Sequence, residues 1–124
     1  MRITLCGSAR FYELFYKLNR DLSLAGHVVY SLGAYPDKES SKDWMTPEQK
    51  VVLDLVHLAK IENSEMILVI DPEGYIGEST RKEIHYALLR HKAVWFYSAG
   101  IVDKLIDQSP NIVFEQQSPR VATA

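Results

Sequence analysis

Apolar and polar positions fall along this chain in blocks whose periods alternate between two and three-to-four. Ile3 to Cys6 is a short β-prone run that ends at Gly7-Ser8. From Ala9 to Ala25, apolar side chains recur at Phe11, Leu14, Phe15, Leu18, Leu22 and Ala25, the spacing of one helix face. Gly26 follows as a C-cap. Val28-Val29-Tyr30 reads as a second strand. Gly33 to Thr46 is polar, contains Pro36, and reads as a long loop. Thr46-Pro47 then opens a helix with proline at the first helical position, and Val51, Val52, Leu55, Leu58, Ala59 and Ile61 carry it to about Asn63.

Met66-Ile67-Leu68-Val69-Ile70 shows no polar alternation. A run of that kind is buried on both faces, as in the centre of a parallel sheet. A helix beginning at Glu78 or Ser79 presents Ile84, Ala87 and Leu88 on one face. Ala93 to Tyr97 is a further strand, Ile101 to Ile106 a short helix, and Ile112-Val113-Phe114 an edge strand. The alternation of strands and helices predicts an α/β fold: a doubly wound, mostly parallel Rossmann-like sheet of four to five strands flanked by helices. Residues 1–115 form one domain and residues 116–124 a polar C-terminal tail. Ligands of such sheets sit beyond the carboxyl ends of the strands. Here those ends carry Cys6-Gly7-Ser8, Ser31-Leu32-Gly33, Asp71 to Gly77 and Tyr97-Ser98.

Composition narrows the classes. The chain has 124 residues, 47% hydrophobic and 24% charged, with a net charge of −2. That is an ordinary globular balance and lacks the basic excess of a protein that binds nucleic-acid polymers. A small anion remains compatible, since a few amides and one cation hold a phosphate. The single cysteine, Cys6, forms no intrachain disulfide and suits a reducing, cytoplasmic setting. No apolar run approaches the ~18 residues of a membrane span, and the opening Met1-Arg2-Ile3-Thr4-Leu5 has no signal-peptide features.

Three places carry candidate chemistry. Gly7-Ser8-Ala9-Arg10 lies at the first strand-to-helix turn, where glycine admits a ligand close to the backbone and helix-start amides face it. The same serine would equally serve as a helix cap. Gly77-Glu78-Ser79-Thr80 opens a helix after the apolar strand. Its hydroxyls and amides would hold a phosphate, or Thr80 and Glu83 would form a capping box. Glu83 is either that cap partner or a nucleophile on a sugar anomeric carbon. On the preceding helix, His57 and Asp54 lie one turn apart, and Asp54 is spaced to orient the imidazole. Tyr75, between Gly74 and Gly77, is placed to stack on a base, and Trp44 in the polar loop is a second candidate. Tyr12 and Tyr16 read as packing residues and Cys6 as a small buried one. No grouping has metal-ligand spacing in the sequence.

Taken in order, these residues resemble the nucleoside 2-deoxyribosyltransferase superfamily over roughly Ile3 to Ser98. Its branches include deoxyribosyltransferases and 2′-deoxynucleoside 5′-phosphate N-hydrolases, with CMP and hydroxymethyl-CMP hydrolases as relatives. Leu5 to Arg10 is similar to the hydrolases' opening strand and phosphate turn. Ala59 to Val69 is similar to the helix end and central strand, and Gly77 to Ala87 to the segment holding the nucleophilic glutamate. The resemblance implies cleavage or transfer of the N-glycosidic bond of a nucleoside 5′-monophosphate, with Glu83 as nucleophile and no cofactor. Gly7, Ser8, Arg10 and Ser79 would surround the 5′-phosphate, joined by Ser98 reaching a neighbouring subunit, so a homodimer or higher homo-oligomer is expected. The family's aspartate that assists the leaving base falls here on His57, with Asp54 one turn earlier. That departure keeps a second reading in play: a non-catalytic nucleotide-binding module on the same fold.

Overall fold

The structure, a computed structural model, describes residues 1–35 and 44–108. The expected edge strand at Ile112-Val113-Phe114 and the tail from Gln116 lie outside the described residues, as does the middle of the polar loop. Four strands form one sheet: β1 (Arg2–Gly7), β2 (Val28–Tyr30), β3 (Met66–Ile70) and β4 (Ala93–Phe96). All pair in parallel, in the order β2-β1-β3-β4. Four helices connect and follow them: α1 (Tyr12–Leu24), α2 (Pro47–Glu62), α3 (Glu78–Leu89) and α4 (Val102–Gln108).

The apolar run of β3 behaves as its pattern requires, since all five of its residues are buried. Its alternate side chains feed two cores. Met66, Leu68 and Ile70 join Ile3, Leu5, Phe15, Leu18, Leu22 and Leu105 beneath α1 and α4. Ile67 and Val69 join Cys6, Ile61 and Ala87 beneath α2 and α3. Period-two alternation along β1 therefore turns Cys6 toward the α2 and α3 face. Thr4, buried on the same strand, satisfies its hydroxyl against Ser64 at the end of α2.

One expectation changes. Leu88 does not face the core: Thr80 and Ala87 are the buried residues of α3, and Leu88 is 57% exposed. The inward stripe of α3 therefore runs through Thr80, Ile84 and Ala87. On α2, Val51, Val52, Leu55 and Val56 are exposed, while His57 and Ile61 are buried. No helix among the described residues is long and apolar enough to cross a membrane.

The chain leaves β1 in one direction across the sheet and β3 in the other. Beyond their carboxyl ends lies the topological switch point between two adjacent strands. At this place the first turn and the α3 start meet.

Candidate functional site

An open cavity of about 320 Å³ occupies that switch point. Gly7, Ser8, Trp44, Asp54, His57, Tyr75, Gly77, Ser79, Thr80 and Glu83 all line it, so ten residues expected from the sequence converge there. Each is placed by a local cause. Gly7 is pressed against the end of β3: a Cβ built on it would stand 3.0 Å from the Ile70 carbonyl oxygen and 3.3 Å from the Phe15 ring. Ser8 caps the turn that follows, its Oγ accepting the Arg10 N–H at 3.3 Å. The capping role weighed for this serine is thus formed, and the residue still borders the cavity.

After β3, Pro72-Glu73-Gly74 makes a tight turn with Glu73 at φ 56° and Gly74 at φ 79°. This left-handed pair turns the chain so that Tyr75 comes over the cleft. Its ring meets Phe11 edge-on at 5.8 Å and carries the Arg10 guanidinium 4.2 Å above its centre. Arg10 therefore stacks on Tyr75 and does not border the cavity. Ser98 is elsewhere too. Its N–H and Oγ–H both donate to the buried Asp71 carboxylate, at 2.9 and 2.6 Å, tying the end of β4 to the end of β3.

The helix α3 has Gly77 as N-cap, with no side-chain cap bond. The capping box considered for Thr80 and Glu83 does not form. Extended backbone at Gly77 starts the helix three residues before Thr80, which is carried inside the first turn and buried. The first amides of α3 consequently have no capping side chain, and a helix start of that kind favours an anion. Lys50, from the first turns of α2, reaches over this start. Its Nζ donates to Ser79 Oγ at 3.4 Å and to both Asp54 carboxylate oxygens at 3.1 Å.

Glu83 sits one turn deeper on α3, its side chain 15% exposed. Burial, reinforced by the Asp54 charge and opposed by Lys50 and the Cys6 thiol, lifts its carboxyl from 4.5 to about 7. His57 Nε2 lies 3.8 Å from Glu83 Oε2 and 3.4 Å from Cys6 Sγ. Burial, with the nearby Lys60 cation, depresses the imidazole from 6.5 to about 4, so His57 is neutral at pH 7. Burial and then Glu83 push the Cys6 thiol well up, which keeps it protonated and a donor toward the carboxylate. Glu83 is thus poised between its two forms near neutrality, the condition under which one group serves as nucleophile or as acid and base.

Lys50 and the closeness of Cys6 to Glu83 escaped sequence reading. The Lys50–Asp54 spacing of four was a usable signal for a helix ion pair. Nothing local marked Cys6, whose role depends on which face of β1 it occupies.

No family model matches the chain, and no curated protein matches it in sequence. Among solved structures, it is similar to the 2-deoxyribosyltransferase of the psychrotolerant bacterium Bacillus psychrosaccharolyticus, described as a biocatalyst for synthesis of antiviral and antitumoral nucleosides. The TM-score is 0.62 at 17% identity, covering 77% of this chain and 71% of that one. At this identity the likeness is one of architecture: a four-stranded parallel sheet with its helices, together the fold of a deoxyribosyltransferase.

Proposed function

We propose that this protein cleaves or transfers the N-glycosidic bond of a nucleoside 5′-monophosphate, with Glu83 as the nucleophile. The observation that carries this reading is a largely buried carboxylate one turn beyond an uncapped helix start, inside a cavity at the switch point. The α3 amides, Ser79 and Lys50 supply donors and charge for a phosphate, and the Gly7-Ser8 turn supplies a close backbone approach. Tyr75, held by Phe11 and Arg10, offers an aromatic face for the base.

Ionised Glu83 attacks C1′ of the sugar. The C1′–N bond breaks, its electron pair passes to the base nitrogen, and the base leaves as it gains a proton. Water, or the nitrogen of a second base, then displaces Glu83 from the glycosyl ester. Asp54, half-exposed and paired with Lys50, is the group available to the leaving base. His57, neutral at pH 7 and buried beside Glu83, orients the carboxylate and is a poor acid there.

That last point favours a second reading, a nucleotide-binding module without turnover: the position of the expected acid holds a histidine depressed to about 4. Chromatography of free bases after incubation with ribo- and deoxyribonucleoside monophosphates separates the two. Base released by wild type and not by Glu83→Gln supports the enzyme. A ligand-dependent rise in melting temperature without released base supports the binding module.

The same reading includes a homo-oligomer in a reducing, cytoplasmic setting. The exposed Val51, Val52, Leu55 and Val56 on α2 support a second copy, and the free thiol of Cys6 supports the setting.

A further inference from the structure

Beneath the cavity, Cys6 Sγ, His57 Nε2 and a Glu83 carboxylate oxygen all lie within 4.8 Å of one another. Among the described residues, this is the grouping of three such side chains with that spacing. Each comes from a different rigid element: β1, α2 and α3. Cys6 is fully buried and His57 is 5% exposed, so packing fixes two of the three donors.

The edges between these donor atoms can be set against those of a tetrahedral ion. With sulfur at about 2.3 Å and nitrogen or oxygen at about 2.0 Å, the sulfur–nitrogen edge is roughly 3.5 Å and the nitrogen–oxygen edge roughly 3.3 Å. The Cys6–His57 edge is 3.4 Å, already of that size. The His57–Glu83 edge is 3.8 Å and closes with a shift of about half an ångström, which rotation of the glutamate supplies. His57 and Glu83 border the cavity and Cys6 lies behind them, so the remaining coordination position opens toward the cavity.

We propose that Cys6, His57 and Glu83 form a binding site for one soft divalent cation, zinc being the best match, with its fourth position open to water or a ligand in the cavity. A set of one sulfur, one nitrogen and one oxygen suits zinc, whereas magnesium and calcium demand oxygen ligands. Three protein ligands with an open fourth position is also the arrangement of reactive rather than purely structural zinc sites. On binding, the Cys6 thiol releases its proton to solvent and sulfur takes up a bond to the metal. Metal binding withdraws the Glu83 carboxylate from attack on a sugar, so the site competes with the proposed reaction and does not depend on it.

Cobalt(II) titrated into metal-free protein tests this by absorption, without any assay of activity. One equivalent should give an intense near-ultraviolet band from thiolate-to-cobalt charge transfer and the visible bands of tetrahedral cobalt, and zinc should displace both. Cys6 is the sole cysteine of the chain, so a thiolate band in wild type reports on this residue directly. Its absence from wild type overturns the proposal, whether or not any variant folds. Cys6→Ser should lose the charge-transfer band, and its persistence there also overturns the proposal. Glu83→Gln should keep the band while weakening cobalt binding by an order of magnitude or more; unchanged binding would remove Glu83 from the site.

Discussion

Glu83 and His57 are displaced in opposite senses by the same burial, and their pH dependences therefore oppose each other. The folded Glu83 carboxyl, raised from 4.5 to about 7, holds its proton where the unfolded one has lost it. Its contribution is full below pH 4.5 and is lost as pH rises to 7. The folded imidazole, lowered from 6.5 to about 4, stays neutral where the unfolded one is charged, so its contribution grows as pH rises from 4 to 6.5. Each effect is on the order of 3 kcal/mol, and the two nearly cancel between pH 4.5 and 6.5. Removing one exposes the other. Relative to wild type, Glu83→Gln should become more stable as pH climbs through that window, and His57→Gln less stable, read by melting temperature across a pH series. Parallel curves for all three proteins would contradict the opposed shifts. For turnover, base release should rise through about pH 7 as Glu83 ionises. Glu83→Gln should lower it by on the order of 10³-fold or more while the fold persists.

At the level of elements, α2 is the helix on which the site most depends, because Lys50, Asp54 and His57 all project from it. Its start is fixed by a complete capping box: Thr46 Oγ1 accepts the Gln49 N–H at 3.1 Å, and the Gln49 side chain accepts the Thr46 N–H at 2.9 Å. Thr46→Ala should cost about 1 kcal/mol, measured as a lowered denaturation midpoint. At the other wall, Gly7→Ala forces a methyl against the Ile70 carbonyl and the Phe15 ring. It should cost about 1–3 kcal/mol, and an unchanged midpoint would show that β1 and β3 can part there freely. The start of α2 was legible because Thr46-Pro47 carries its own local chemistry, while its capping box with Gln49 emerged only in the structure. The start of α3 at Glu78 was legible as well, but its cap was not: Ser79 and Thr80 look like caps, whereas the backbone of Gly77, which carries no side-chain signal, holds that position. Helix spacing was enough to put Asp54 and His57 one turn apart on α2 and Glu83 early on α3, and all three line the cavity. Their meeting with Cys6 could not be read that way, since it depends on α2 and α3 sharing one face of a sheet whose strand order no local pattern states.

For the whole molecule, the expected homo-oligomer makes a claim that the single chain leaves testable. Sedimentation equilibrium should give at least twice the 14.2 kDa of one chain, and Leu55→Lys on the exposed side of α2 should return it to a monomer. A wild-type monomer at all concentrations would remove Ser98 from any role at a neighbouring phosphate and leave it to its bond with Asp71.

The pairing of β1 with β3 also has a consequence in time. Ile3 faces Met66 and Gly7 faces Ile70 across that ladder, a separation of 63 residues in each case. On a ribosome adding about 5–20 residues per second, β1 waits roughly 3–13 seconds after its own synthesis before its central partner exists. For that interval the edge of β1 that will pair with β3 stands open, with Ile3, Leu5 and Cys6 held by nothing that persists in the native sheet except the short β2. Synonymous codons that slow elongation between residues 31 and 65 should lengthen this wait, and lower the soluble yield without altering a single amino acid.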